Sequence, residues 1–85
     1  MGEYSKALSS HEKALAIKQQ SLPPNHPDLG SSYNNIGIVY RKMGEYSKAL
    51  SFYERAVDIG QHSLPSNHPY LQLYRKSLDR IKKKL

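Results

Sequence analysis

Residues 43–69 read MGEYSKALSFYERAVDIGQHSLPSNHP, and residues 1–27 read MGEYSKALSSHEKALAIKQQSLPPNHP. The two stretches are separated by a constant offset of 42 residues, and 20 of the first 29 positions are identical. A fixed period of this length indicates a repeat protein, in which one supersecondary unit stacks on its own copy. Stacking buries the apolar face that each unit cannot cover alone, so this repeat decides the fold.

The composition fits one small domain covering residues 1–85. The chain has no cysteine, which excludes a disulfide framework and a thiolate metal site and favours an intracellular, cytoplasmic setting. Its apolar runs are shorter than the roughly 18 residues needed to span a bilayer, and the chain does not open with a signal-peptide pattern. We therefore expect no membrane association.

The net charge of +6 is concentrated at the C-terminal end. Residues 1–69 carry seven lysines or arginines and six acidic residues, whereas residues 70–85 carry six basic residues and Asp79 alone. A basic end of this kind could bind nucleic acid or an anionic membrane through counterion release. Because aromatic residues do not interleave with these lysines, a solvated face that keeps the end of a stack soluble is the simpler interpretation.

Apolar residues at helical spacing predict four antiparallel helices and an all-α fold. The first helix is expected at 2–20 and the complete pair at 27–62, with its second member starting near Glu45. The last helix is expected at 69–84. Proline pairs and Asn-His-Pro segments mark helix ends and starts, with Asn25 or His26 as the cap of the second helix. Gly44 is expected to end that helix.

Two features of the helices predict how they pack. Gly37 lies within the apolar face of the second helix, where glycine costs about 1 kcal/mol relative to alanine, so we expect a neighbouring helix to approach closely there. The last helix keeps an apolar stripe on one side only, as in a polar capping helix. At the positions 42 residues after Tyr33, Asn35, Gly37 and Tyr40, the last helix has charged or polar residues, namely Arg75, Ser77, Asp79 and Lys82.

The unit Tyr33-x2-Ile36-Gly37-x2-Tyr40-x3-Gly44-x-Tyr46-x2-Ala49-x3-Tyr53-x2-Ala56 resembles a tetratricopeptide repeat (TPR). The usual period is 34 residues. The longer form seen here, with its Leu-Pro-x-Asn-His-Pro linker and Tyr-Asn-Asn-Ile-Gly core, resembles the repeats of kinesin light chains. The resemblance implies an α-solenoid scaffold that binds proteins and is not an enzyme.

The order of the helices departs from that of an ordinary array. Residues 1–27 align with the second helix of a pair, so only the unit at 27–62 is complete, and stable arrays generally need about three units. We expect either the end of a longer array or a short chain, natural or engineered, that gains stability by assembling.

The resemblance implies a concave peptide-binding face formed by the first helix of each pair. Asparagine amides can bond a peptide backbone, and arginine and lysine favour acidic peptides, as in kinesin light chains, which bind acidic cargo peptides with a central aromatic. A purely solvated helix face is the alternative. The expected residues are Asn34, Asn35, Ile38, Arg41 and Lys42, with Lys76, Ser77, Arg80, Lys83 and Lys84 in the last helix.

The apolar stripe of the first helix is a second candidate surface. In a complete array its outer side would meet a preceding helix, so Tyr4, Leu8, His11 and Leu15 are expected to be partly exposed. Exposed apolar patches usually mark an interface, which predicts a symmetric homodimer. In a variant of this dimer, the 42–45 turn straightens and the copies exchange helices. Homo-oligomerisation would then be the main interaction of a structural repeat fragment.

The four histidines do not form a metal or catalytic pattern. His26 and His68 occur in equivalent linkers and are expected to be helix-start residues. His11 replaces the aromatic found at Tyr53, and His62 has no partner that the sequence identifies. Without paired-histidine spacing, clustered carboxylates or a nucleophile–base pair, we expect no metal, no cofactor and no catalysis.

Overall fold

The computed structural model describes residues 2–85, which form four helices. These are α1 (Gly2–Ser21), α2 (Pro27–Lys42), α3 (Tyr46–Ser63) and α4 (Pro69–Lys84). The all-α fold predicted from the sequence is confirmed, and the helix ends lie within one residue of the predicted limits. The repeat pairs Met1 with Met43, but Met1 lies outside the described residues.

The helices α2 and α4 begin with the same cap. His26 and His68 occupy the position before each helix with φ −65° and ψ 137°, and a proline follows at the first helical position. The backbone N–H of Asp28 donates to Nδ1 of His26 at 3.2 Å, and that of Tyr70 donates to Nδ1 of His68 at 3.1 Å. Each side chain thus satisfies one of the unpaired N–H groups at the helix start. The predicted helix-start role of both histidines is confirmed.

The turn between α2 and α3 depends on Gly44, which has a positive φ of 82°. Glycine adopts this left-handed conformation without the steric cost that a side chain brings. The Gly44 N–H donates to the carbonyl of Arg41 at 3.0 Å, and the Glu45 N–H donates to the carbonyl of Tyr40 at 2.9 Å. These hydrogen bonds end α2 at the turn, as the sequence predicted. The turn lets α3 run antiparallel to α2.

The core is organised around α2, which contacts each of the other three helices. Within residues 2–85, α1 packs against α2 alone, and α4 packs mainly against α3. The main buried cluster takes residues from all four helices, while a smaller one lies beside the α2–α3 turn and contains Ala49, Tyr53 and Ile81. The main cluster contains Leu15, Leu29, Tyr33, Ile36, Ala56, Val57, Ile59, Leu71 and Tyr74.

Gly37 allows α2 and α3 to approach closely. A Cβ atom at this position would lie 2.6 Å from Cε1 of Tyr53, well inside van der Waals contact. The Tyr53 ring of α3 is only 1% exposed and packs against Gly37 of α2. The close helix approach predicted from Gly37 is confirmed.

Candidate functional site

A cleft of about 130 Å³ lies between α2 and α4, and we call it the α2–α4 cleft. Four of the residues expected on the peptide-binding face line it together, namely Ile38, Arg41, Ser77 and Arg80. Tyr53 and Leu73 also line it and were not predicted. The signal that could have identified Tyr53 is Gly37. The aromatic ring that packs on this glycine lies next to Ile38 and Arg41 and therefore also lines the cleft. The lining residues are Ile38, Arg41, Tyr53, Leu73, Ser77 and Arg80.

The α2–α4 cleft has a positive character. Its lining contains two guanidinium groups and no carboxylate. Within residues 2–85, the ion pairs within 4.0 Å are His26–Asp28 and His62–Asp58, so Arg41 and Arg80 have no acidic partner there. Like charges gathered without a counter-ion favour binding of an anion.

Tyr53 connects the cleft to the core. Burial raises the pKa of its hydroxyl, and the nearby positive charge of Arg41 partly opposes this. The hydroxyl therefore stays protonated at neutral pH.

Asn34 does not lie where the sequence predicted. It was expected to face outward, but only 3% of it is exposed, so that expectation is wrong. The reason is its position between Gly30 and Gly37, on the face of α2 where Tyr74 and Tyr53 come close. Its Oδ1 atom is buried and has no hydrogen-bond partner within the described chain. A buried acceptor of this kind costs free energy until a donor reaches it.

The other predicted groove residues are distributed over separate surfaces. Asn35 and Lys42 line a different cleft on the α1 side of α2. Lys76 and Lys83 are exposed on α4 and line neither cleft. The ammonium group of Lys84 lies 5.8 Å from the centre of the Tyr46 ring, near the α2–α3 turn.

This second cleft, which we call the α1–α2 cleft, has a volume of about 430 Å³. Tyr4 and His11, both predicted for self-association, line it, and Leu8 is half-buried beside the core. Leu15 was expected to be partly exposed, but it is 8% exposed and belongs to the core, because its side of α1 packs on α2. The lining residues are Glu3, Tyr4, Ala7, His11, Asn35, Ile38, Val39 and Lys42.

Ala7 is a member of this surface that the sequence analysis missed. Its counterpart 42 residues later, Ala49, is completely buried between α2 and α3. Ala7 is only half-buried, because within the described chain no helix covers α1 as α2 covers α3. The sequence signal that identifies Ala7 is the 42-residue offset from Ala49, which lies in the α2–α3 contact.

His62 has a neighbour after all. Its Nδ1 lies 2.7 Å from the backbone carbonyl of Asp58 and 3.6 Å from the carboxylate of the same residue. In the described part of the chain, His, Asp and Glu side chains do not gather in groups of three that could hold a metal ion.

A sequence profile described as the tetratricopeptide repeat matches residues 1–61. The chain belongs to the tetratricopeptide repeat family. Proteins of this family generally mediate protein–protein interactions and are typically non-catalytic. The match covers α1, α2 and most of α3. A search of curated proteins found no match to this sequence.

None of the helices within residues 2–85 is both long enough and apolar enough to cross a membrane.

Proposed function

We propose that this TPR chain is an interaction module that binds extended acidic peptides in the α2–α4 cleft. The observation that carries the proposal is the convergence of Arg41 and Arg80 on one cleft without a counter-ion. Guanidinium groups bind carboxylates through two parallel hydrogen bonds, which gives both affinity and orientation. The 42-residue period and its linker support a cytoplasmic, kinesin-light-chain-like adaptor as the setting.

The surroundings of the two arginines fit an extended peptide. Ile38 and Leu73 provide apolar walls, and Leu73 is 49% exposed. Lys76 and Lys83 extend the positive potential along α4 and would speed association more than they tighten binding.

A pair of labelled nonapeptides tests this proposal. One has a central leucine flanked by glutamates, and the other has glutamines in place of the glutamates. We expect the glutamate peptide to bind more tightly, with an affinity that falls as salt is raised from 50 to 300 mM. Arg80→Gln should weaken binding roughly tenfold, because it removes a charge-assisted hydrogen bond.

Arg75→Gln is the matched control, since Arg75 is an exposed arginine of α4 that does not line the cleft. It removes the same charge from the same helix and should change the affinity less than twofold. Equal binding of the two peptides, or equal effects of the two substitutions, would count against the proposal.

A second proposal is self-association through the α1–α2 cleft as a symmetric homodimer. It is supported by the partial exposure of Ala7, whose counterpart Ala49 is completely buried under α2. Tyr4 is 40% exposed beside it. An apolar helix face left open in this way is stabilised when a second copy covers it.

The molar mass measured by sedimentation over a hundredfold dilution tests the dimer. Ala7→Glu should favour the monomer, because it places a charge in the contact, while Ile17→Glu should leave the dimer intact. Ile17 is 65% exposed on the same helix and lies outside the cleft. Leu8→Glu is a poorer test, because Leu8 packs against the core and its replacement would also unfold the chain. A helical wild-type monomer at high micromolar concentration would rule out the dimer.

A further inference from the structure

The lining of the α2–α4 cleft is rich in hydrogen-bond donors. Arg41 and Arg80 contribute guanidinium groups, and Ser77 and Tyr53 contribute hydroxyls. Each guanidinium has five N–H donors and accepts nothing. The lining thus offers many donors and two positive charges to one small space.

Arg41 lies beside a rigid wall of the cleft. Tyr53 lines the cleft with it, and the Tyr53 ring is 1% exposed and packs against Gly37. Arg41 is half-buried, whereas Arg80 is exposed. The cleft therefore contains one half-buried and one exposed guanidinium, from two different helices.

A single carboxylate does not match this arrangement. It carries one negative charge and would leave one of the two arginines uncompensated. A phosphate monoester carries about −1.5 to −2 charges at pH 7 and presents three acceptor oxygens. We propose that the α2–α4 cleft binds the phosphorylated serine or threonine side chain of a partner peptide in preference to a carboxylate. This inference rests on the proposed peptide-binding function.

The dimensions of the cleft agree with one compact group. Its volume of about 130 Å³ is well above the roughly 30 Å³ that one water molecule occupies in the liquid, so it admits a group of several heavy atoms. A phosphoryl group can occupy that space between the arginines and Ser77. Ile38 and Leu73 then contact the apolar residues that flank it in the peptide.

Three labelled peptides that differ only at the central position test the inference. They carry serine, glutamate or phosphoserine between two leucines, with otherwise identical flanks. We expect the phosphoserine peptide to bind at least tenfold more tightly than the glutamate peptide, and the serine peptide to bind most weakly. Inorganic phosphate at millimolar concentration should displace the phosphopeptide.

Arg80→Gln should reduce the phosphoserine-to-glutamate ratio below threefold, whereas Arg75→Gln should preserve it. Both side chains are exposed, so circular dichroism should show unchanged helix content in each variant. A tenfold preference that survives in Arg80→Gln would place the phosphate elsewhere and overturn the assignment to this cleft.

The remaining outcomes separate this inference from the function on which it rests. Equal affinities for the glutamate and phosphoserine peptides would overturn the phosphate preference alone. Failure of all three peptides to bind would overturn the proposed function as well. Vesicles of phosphatidylcholine containing a phosphatidylinositol monophosphate provide the last comparison, and tighter binding to them than to the phosphopeptide would assign the phosphate to a lipid headgroup instead.

Discussion

Tyr53 belongs both to the core and to the α2–α4 cleft. Its ring is 1% exposed and packs against Gly37, and it lines the cleft together with Arg41. A substitution at Tyr53 would therefore alter stability and binding together. A substitution that tests stability alone is clearer at a residue that packs against Tyr53 in the core but does not line the cleft.

Gly37→Ala is one such test. The added Cβ would lie 2.6 Å from the Tyr53 ring, so α2 and α3 must separate or the ring must move. Alanine gains about 1 kcal/mol of helix propensity, but overpacking of a core typically costs 1–3 kcal/mol. We expect a net destabilisation of about 1 kcal/mol in urea unfolding. Ser51→Ala at an exposed site of α3 is the control and should be neutral or stabilising.

The buried tyrosines predict a loss of stability at alkaline pH. Burial raises the pKa of Tyr53 and of Tyr74 above the ordinary value of about 10. The unfolded chain therefore loses these protons first as the pH rises. The stabilisation is complete below about pH 10 and is lost as the pH rises through the higher pKa values of the folded state.

Urea unfolding measured from pH 8 to 11.5 checks this prediction, and the free energy of unfolding should fall by up to about 1.4 kcal/mol per pH unit for each group. In Tyr74→Phe, the free energy of unfolding should fall less steeply with pH. Its value at pH 8 should be lower than that of the wild type, because the 2.8 Å hydrogen bond between the Tyr74 and Ser31 hydroxyls is lost. Tyr4→Phe, at a 40% exposed site away from both buried tyrosines, should leave the slope unchanged. A flat wild-type profile would contradict the prediction.

Single residues also show where sequence reasoning stops. The spacing of apolar residues identified one side of α1 as buried, but it could not tell which part of that stripe α2 covers, so Leu15 was expected to be exposed. Asn34 was assigned to the binding face by its position in the first helix of the pair, as the resemblance implies. The two glycines that flank it at positions 30 and 37 were the physical signal that this face of α2 lies against other helices.

At the scale of elements, the helix ends were the most predictable feature. Proline, glycine and cap residues act through local backbone geometry, so they are visible in the sequence. The sequence did not predict which residues line which cleft. Successive residues of a helix lie about 100° apart, and so Arg41 lines the cleft toward α4 while Lys42 lines the cleft toward α1.

The histidine caps give a prediction for the linkers. His68→Ala removes the acceptor for the Tyr70 N–H, and the loss of an N-cap side chain typically costs about 1 kcal/mol. His68→Asn should restore the stability, because asparagine is among the best N-cap residues. Asn67→Ala is the control, since Asn67 is exposed and only its backbone carbonyl accepts a hydrogen bond, from Gln72. Equal urea midpoints for all variants would show that the cap contributes nothing.

The molecule as a whole is a short stack, with extents of 36 × 32 × 17 Å. The 42-residue period predicted this arrangement, since each repeat unit contacts its neighbours in the sequence. In such a stack, the stability of a helix depends on how many neighbours it has and on how extensively they cover it. The helix α2 touches three others, and α3 packs along both α2 and α4. The helix α4 packs mainly on α3 and only slightly on α2, and α1 touches α2 alone within the described chain.

This difference predicts the order in which the helices open. Amide hydrogen exchange, followed residue by residue at about 10 µM, should show the strongest protection in α2 and α3, less in α4 and the least in α1. The long-range contacts of α1 include Leu15 in the core and the 2.9 Å hydrogen bond from Gln19 to Tyr33. Protection of α1 should rise with protein concentration if a second copy covers it, and this rise should be absent in Ala7→Glu. Protection of α1 equal to that of α2 in the dilute Ala7→Glu monomer would contradict a stack in which each helix is stabilised by its neighbours.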